Sequence, residues 1–311
     1  MAGALDQNSD SPRGLAFGIA AYVLWGFLPL YMKQLDHIPP AEIIAHRVIW
    51  SLPIAAGVLF WQGRSAQLAD ALRRPRLLGM AAICAVLISV NWLIYVWAIA
   101  NDHAVEAALG YYINPLFSIL LGAALLGERL NRLQAVAVAL AAAGVALLTW
   151  QAGQLPIIAL GLTVSWGIYA YFKRSLPLGA NQGFTLEVAI LAPLALGWLI
   201  WLGLTGQSHF GTNWRDTLLL IGCGPVTAIP LMFYANGAKL VRLSTMGILQ
   251  YIAPTMIFLT AIFLFNEPFD RARAIAFPLI WAALIVYSVA LIRSARARRR
   301  VSQLPETKRQ N

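Results

Sequence analysis

Ten long runs of apolar residues, separated by short polar breaks, account for almost the whole chain. They fall near residues 14–33, 41–61, 77–99, 104–127, 131–150, 156–175, 183–203, 216–238, 244–266 and 273–293. About 20 apolar residues suffice for a helix to cross the hydrocarbon core of a bilayer. The runs are too long and too uniformly apolar for the alternating strands of a barrel. Lipid offers no partner to a bare backbone polar group, so a helix is the remaining way to span. The pattern predicts an all-α polytopic membrane protein of ten transmembrane helices with short loops.

Two of the runs match. Between the stretches starting at Ala104 and Leu243, Tyr112 and Tyr251, Pro115 and Pro254, and Glu128 and Glu267 each stand 139 residues apart. Tyr95 and Tyr234 share that spacing, and Trp25 and Trp166, in Tyr-Val-Leu-Trp-Gly and Thr-Val-Ser-Trp-Gly, stand 141 apart. The chain therefore reads as two five-helix repeats, 14–150 and 156–293, flanked by a short tail (1–13) and a basic tail (294–311).

Charge orients these units. Of 23 Lys and Arg, eighteen fall in the tails and alternate loops that share one side: Arg13; Arg64, Arg73, Arg74 and Arg76; Arg129 and Arg132; Lys173 and Arg174; Lys239 and Arg242; and seven from Arg293 to Arg309. Four (Lys33, Arg215, Arg271 and Arg273) fall on the other. Positive residues stay inside, which places both termini in the cytoplasm. Five helices per unit is an odd number, so the second unit must insert upside-down. Inverted repeats of this kind build secondary transporters.

Composition excludes several classes. Only 12% of the 311 residues are charged, against about 25% in soluble domains, so no separate soluble domain fits. Anchoring against anionic lipid explains the basic tail better than a nucleic-acid partner does. The first twelve residues are polar and mildly acidic, unlike the basic start of a secretory signal. Cys84 and Cys223 lie in apolar runs and read as core packing. HExxH, GxSxG and P-loop patterns are absent and the four histidines are dispersed, so no enzyme, metal or cofactor is expected.

Ionisable groups within lipid are expensive and ask for a reason. Arg47 lies about 9 Å into the second run at 1.5 Å per residue, and is expected to pair with Glu106 or Glu42 near the outer mouth, or else to snorkel. Glu187 is either a proton-coupling or substrate-facing acid, or an interfacial partner of Lys173 or Arg174. Trp25, Asn91, Trp92, Tyr95, Tyr111, Asn114, Trp166, Tyr234, Gln250 and Tyr251 complete a candidate substrate pathway. Its walls are expected in the first, third, fourth, sixth, eighth and ninth runs. The competing roles are interfacial belts for the rings and helix-to-helix glue for the amides. Aromatic walls would suit organic solutes, and cations through the ring faces. Pro115 and Pro254 are the matched candidate hinges, because each removes a backbone donor and kinks its helix. Glu128 and Glu267 are expected to cap or gate the ends of their spans.

Several stretches carry a resemblance: Glu-Ile-Ile-Ala-His-Arg-Val-Ile-Trp-Ser (42–51), Asn-Trp-Leu-Ile-Tyr-Val-Trp-Ala (91–98), Gly-Tyr-Tyr-Ile-Asn-Pro (110–115) and Ser-Thr-Met-Gly-Ile-Leu-Gln-Tyr-Ile-Ala-Pro-Thr (244–255). They resemble the RarD branch of the EamA family, within the drug/metabolite transporter superfamily. The resemblance implies a bacterial inner-membrane permease that handles small organic molecules, with ten helices in two inverted repeats. The expected partners are a small-molecule substrate and the lipid bilayer, with a coupling proton and a homodimer as candidates.

Overall fold

The computed structural model describes residues 11–63, 65–126, 130–153, 155–237, 240–241 and 243–302. Twelve helices make up the described residues: α1 (Pro12–Lys33), α2 (Pro40–Trp61), α3 (Ser65–Leu72), α4 (Pro75–Ala100), α5 (Ala104–Leu126), α6 (Arg132–Ala152), α7 (Ile157–Ser175), α8 (Ala180–Leu204), α9 (Trp214–Gly237), α10 (Leu243–Leu249), α11 (Ile252–Phe263) and α12 (Arg271–Ser302). Nine spans, α10 and α11 together forming one, are long and apolar enough to cross a membrane, and Ile157–Lys173 is a shorter apolar helix.

Local sequence sets the ends of these helices. Ser11 caps α1, accepting from the Gly14 amide, and Pro12 occupies the first turn, where a missing N–H costs nothing. Asn131 and Gln134 form a reciprocal capping box on α6, and Gly153 closes that helix in the left-handed region with φ 66°. Asp102 and Asn266 take positive φ where α4 and α11 end, as short polar side chains permit.

The helix starts show the same spacing as the residue matches. α9, α10 and α12 each begin 139 residues after α4, α5 and α6, and α8 begins 140 after α2. Packing follows the same correspondence. α1 lies on α9 and α11, while its counterpart α7 lies on α4 and α5; α6 pairs with α12, and α2 with α8. Close approaches rely on small residues: a Cβ on Gly110 would sit 2.8 Å from the Ala159 carbonyl oxygen, and one on Gly224 would strike the Trp50 backbone.

The exterior is apolar at mid-span, with Leu194 74% and Ile285 66% exposed. Such a surface in a chain of long apolar helices is what lipid covers. Cys84 and Cys223 are buried and free.

Two features depart from the sequence pattern. α3 occupies the arginine-bearing loop between the second and third runs, and the ninth run is divided at Gln250–Tyr251. Gly127, Glu128, Arg129, Lys239, Arg242 and the chain's first ten and last nine residues lie outside the described residues, as do the Arg64 position and the Arg174 side chain.

Candidate functional site

A cavity of about 170 Å³ lies at the centre of the bundle, where both halves of the chain meet. Tyr22, Trp25 and Leu28 reach it from α1, Arg47 from α2, and Asn91, Trp92 and Tyr95 from α4. Tyr111 and Asn114 come from α5, Trp166 and Tyr169 from α7, Phe184 from α8, and Thr227, Leu231 and Tyr234 from α9. Gln250, at the α10–α11 break, and Pro254, just beyond it, also line the cavity. All six expected walls contribute, and α2 and α8 join them.

The rings interlock. Tyr22 meets Trp25 and Tyr234 edge-on at centroid distances of 5.5 and 6.0 Å, and Trp25 lies 5.8 Å from Tyr234. Across the cavity, Tyr111 lies 5.9 Å from Tyr95 and 6.5 Å from Trp166. These aromatic contacts fix the wall geometry, since rings in such arrangements gain about 0.5–1.5 kcal/mol beyond burial.

Asn91 is glue. Its Nδ2 donates to the Leu162 carbonyl (3.0 Å) and the Ser165 hydroxyl (2.9 Å) on α7, and its Oδ1 accepts from Tyr111 at 3.3 Å. It therefore ties α4, α5 and α7 together at the cavity wall. Gln250 Nε2 donates back to the Gly247 carbonyl at 2.9 Å, inside the broken segment. By contrast, Arg47 Nη1, Tyr95 OH and Asn114 Oδ1 are buried and have no hydrogen-bond partner among the described residues.

The setting of Arg47 corrects the expected ion pair. Its side chain is buried, Nε donates to Thr227 Oγ1 at 3.0 Å, and the guanidinium carbon lies 4.5 Å over the Trp92 ring. Among the described residues no carboxylate lies within ion-pair distance of it. Glu42 precedes it by five residues, which turns it about 140° around the axis at 3.6 residues per turn. Glu42 instead accepts from the His209 amide and lies against its Nδ1, both at 2.8 Å. Glu106 stays in the first turn of α5, 3.1 Å from His103 and 3.9 Å from Arg273. The ring face of Trp92, one of the aromatic walls, is thus covered by the protein's own cation.

Glu187 has Lys173 as its partner, as one of its two readings expected. Lys173 Nζ donates to Oε1 at 2.5 Å and Tyr169 OH to Oε2 at 3.2 Å. Glu106, Glu187, Tyr251 and Pro115 are not among the cavity-lining residues. Glu267 caps a helix of the other half: Oε1 accepts from the Ala104 amide at 2.6 Å and Oε2 from Val105 at 2.9 Å. Both bonds neutralise orphan donors at the N-terminus of α5, where a carboxylate is favoured.

The histidines are less scattered than their spacing suggests. His37 and His209 lie 6.2 Å apart, His37 contacts Asp216 at 3.1 Å, and Phe210 stacks 5.0 Å from His46. Trp50 donates to His46 Nδ1 at 3.1 Å. An indole nitrogen only donates, so in the neutral ring the proton sits on Nε2, which is buried without a partner. No group of three metal-ligating side chains exists among the described residues.

Sequence reasoning missed Tyr22, Tyr169, Phe184 and Thr227. Tyr22 and Tyr169 carried a signal, standing three residues from Trp25 and Trp166 and so on the same helix faces. Phe184 and Thr227 carried none, since their role depends on how α8 and α9 dock.

Residues 12–150 match the EamA-like transporter family. An uncharacterised transporter of Bacillus subtilis, YojE, is 40% identical over 94% of this chain and 98% of its own length. The protein RarD of Streptomyces exfoliatus is 42% identical over 95% and 94%, and that of Escherichia coli 40% over 88% and 93%. The chain belongs to the EamA family, in its RarD branch. A solved structure described as a crystal structure of a protein is 23% identical, with a TM-score of 0.58 over 90% of this chain and 98% of that one, so the fold is shared. The EamA chain is accordingly a multi-pass protein of the bacterial inner membrane and a membrane transporter, with lipid around it and a small-molecule substrate.

Proposed function

We propose that the chain is a secondary transporter that exports small organic metabolites or drugs by alternating access. It has ten spans in two inverted repeats, 14–150 and 156–293, with both termini cytoplasmic. The observation that carries this reading is the central cavity, to which both halves contribute matched helices: α1 and α7, α2 and α8, α4 and α9, α5 and α10–α11. The paired helix starts and the exchangeable packing support the duplication, and the one-sided Lys and Arg support its inversion. A site on the boundary between two such units is opened to either side when the units rock against each other. A coupling proton and a homodimer remain part of the proposal. An importer or exchanger uses the same machinery in the other direction. A scaffold without solute flux is the reading from a different class, and a solid bundle would have suited it; the cavity argues for transport.

Counterflow of pooled metabolites into proteoliposomes, with and without a pH gradient, tests the proposal. Accumulation of at least one solute above protein-free vesicles is expected. No movement of any solute, beside an active control transporter, would overturn it.

A further inference from the structure

Among the described residues five carboxylate or guanidinium side chains are buried: Glu42, Arg47, Glu187, Asp216 and Glu267. Four have partners suited to their charge. Glu42 has His209, Glu187 has Lys173, Asp216 has His37 and Asn213, and Glu267 has two backbone amides. Arg47 is the exception.

An arginine stays charged at any physiological pH, and a buried ion costs several kcal/mol unless it is compensated. The Thr227 hydroxyl and the Trp92 ring face offset part of that cost, but neither carries a countercharge. The free Nη1 belongs to a residue that lines the cavity, and no acid lines it. The cavity is therefore positive. A cationic solute would be repelled, a neutral one would leave the charge uncompensated, and water could satisfy the N–H groups without neutralising them.

We propose that this cavity selects organic anions: a small monocarboxylate whose carboxylate binds the free edge of Arg47 and whose flat apolar body lies among the aromatic rings. The inference rests on the transporter reading and names its substrate class. Guanidinium and carboxylate form short, charge-assisted and often bidentate bonds. Tyr95 OH, also unpartnered at the wall, is a second donor for the carboxylate. Asn114 Oδ1, the unpartnered acceptor, takes a hydroxyl or amino hydrogen from the body of the solute. The volume of about 170 Å³ lies below the usual range for drug-sized ligands. The site thus favours a compact metabolite over a bulky drug.

Equilibrium binding to the purified full-length protein tests the charge preference, read through tryptophan emission because Trp25, Trp92 and Trp166 line the cavity. The probes are benzoate against benzamide, phenylacetate against phenylacetamide, and benzylammonium. Each acid should bind at least about tenfold tighter than its amide, equivalent to about 1.4 kcal/mol. Arg47→Gln should erase the preference and Arg47→Lys should keep part of it. The probe series on the unaltered protein decides the matter even where a variant folds poorly. An amide or benzylammonium that binds as tightly as the acid, or no saturable binding of either carboxylate, would overturn the inference. Proteoliposome flux separates it from the broader reading. Preferential benzoate binding without transport of any solute sinks transport and leaves the anion site. Solute flux with no carboxylate preference sinks the anion site alone.

Discussion

α5 and the α10–α11 pair begin 139 residues apart and carry their prolines at the same place, yet one is continuous and the other is broken. Pro115 and Pro254 each deprive the carbonyl four residues earlier of a donor. In α5 that carbonyl belongs to Tyr111, and the helix runs through it. In the second stretch it belongs to Gln250, where the regular ladder gives way and the Tyr251 amide donates to the Ile248 carbonyl, three residues back, at 3.2 Å. Proline alone therefore does not decide the break. Its surroundings do.

α5 is held at its start by Glu267 and along its length by Thr163, whose hydroxyl donates to the Gly110 carbonyl at 2.9 Å. Its first turns read Ala-Val-Glu-Ala-Ala-Leu-Gly, whereas α10 reads Leu-Ser-Thr-Met-Gly-Ile-Leu, with Gly247 standing where α5 has Ala108. Each of these stretches holds one glycine, but that of α5 has three alanines, the best helix formers, where that of α10 has none. The fixed stretch supplies Tyr111 and Asn114 to the cavity, and the broken one supplies Gln250 and Pro254. Under the proposed alternating access, the continuous stretch serves as a post and the broken one as a hinge.

Four substitutions test that contrast, in decreasing order of expected effect. Glu267→Ala strips the cap from α5 and leaves two buried amides unpaired, which should cost about 3 kcal/mol. Thermal melting of the purified protein checks this, and Glu267→Gln should retain part of the loss-protected stability. Gly110→Ala drives a methyl against the Ala159 backbone and should cost about 2 kcal/mol in the same assay, whereas Leu249, its counterpart, already carries a side chain. Pro254→Ala restores the missing donor and should slow solute flux roughly tenfold, about 1.4 kcal/mol in barrier, while Pro115→Ala leaves flux within about twofold. Equal effects of the two would remove the distinction between post and hinge. Gly247→Ala should stabilise α10 by about 1 kcal/mol, seen as roughly fivefold slower amide exchange in that segment. Its Cβ would meet only Leu291 Cδ1, at 3.3 Å, a flexible side-chain end.

The hydrophobic pattern made most of the architecture legible, because each span must be long and apolar for its own reasons, whatever its neighbours do. The break at Gln250–Tyr251 was hidden, since the matched proline pair pointed equally to both stretches. The site divided along a similar line. Trp25, Asn91, Tyr111 and Asn114 declared themselves as polar or aromatic residues at depth. Charged groups misled, because the identity of a partner depends on docking and on helix rotation. Glu106 and Glu42 were the candidate countercharges of Arg47; Glu106 instead meets His103 and Arg273, and Glu42 meets His209. Of the two readings of Glu187, the pattern could not choose the one with Lys173 as partner. The unpaired state of Arg47, from which the substrate class is inferred, emerges only when every neighbouring helix is in place.

The central claim is that the cavity opens to alternate sides of the membrane. Accessibility of a single cysteine at Gln250 tests it most directly, in a background with Cys84 and Cys223 replaced by alanine. A membrane-impermeant maleimide should label Gln250→Cys from one face in the resting protein and from the opposite face under an imposed pH or solute gradient. Labelling from the same face under every condition would contradict the account.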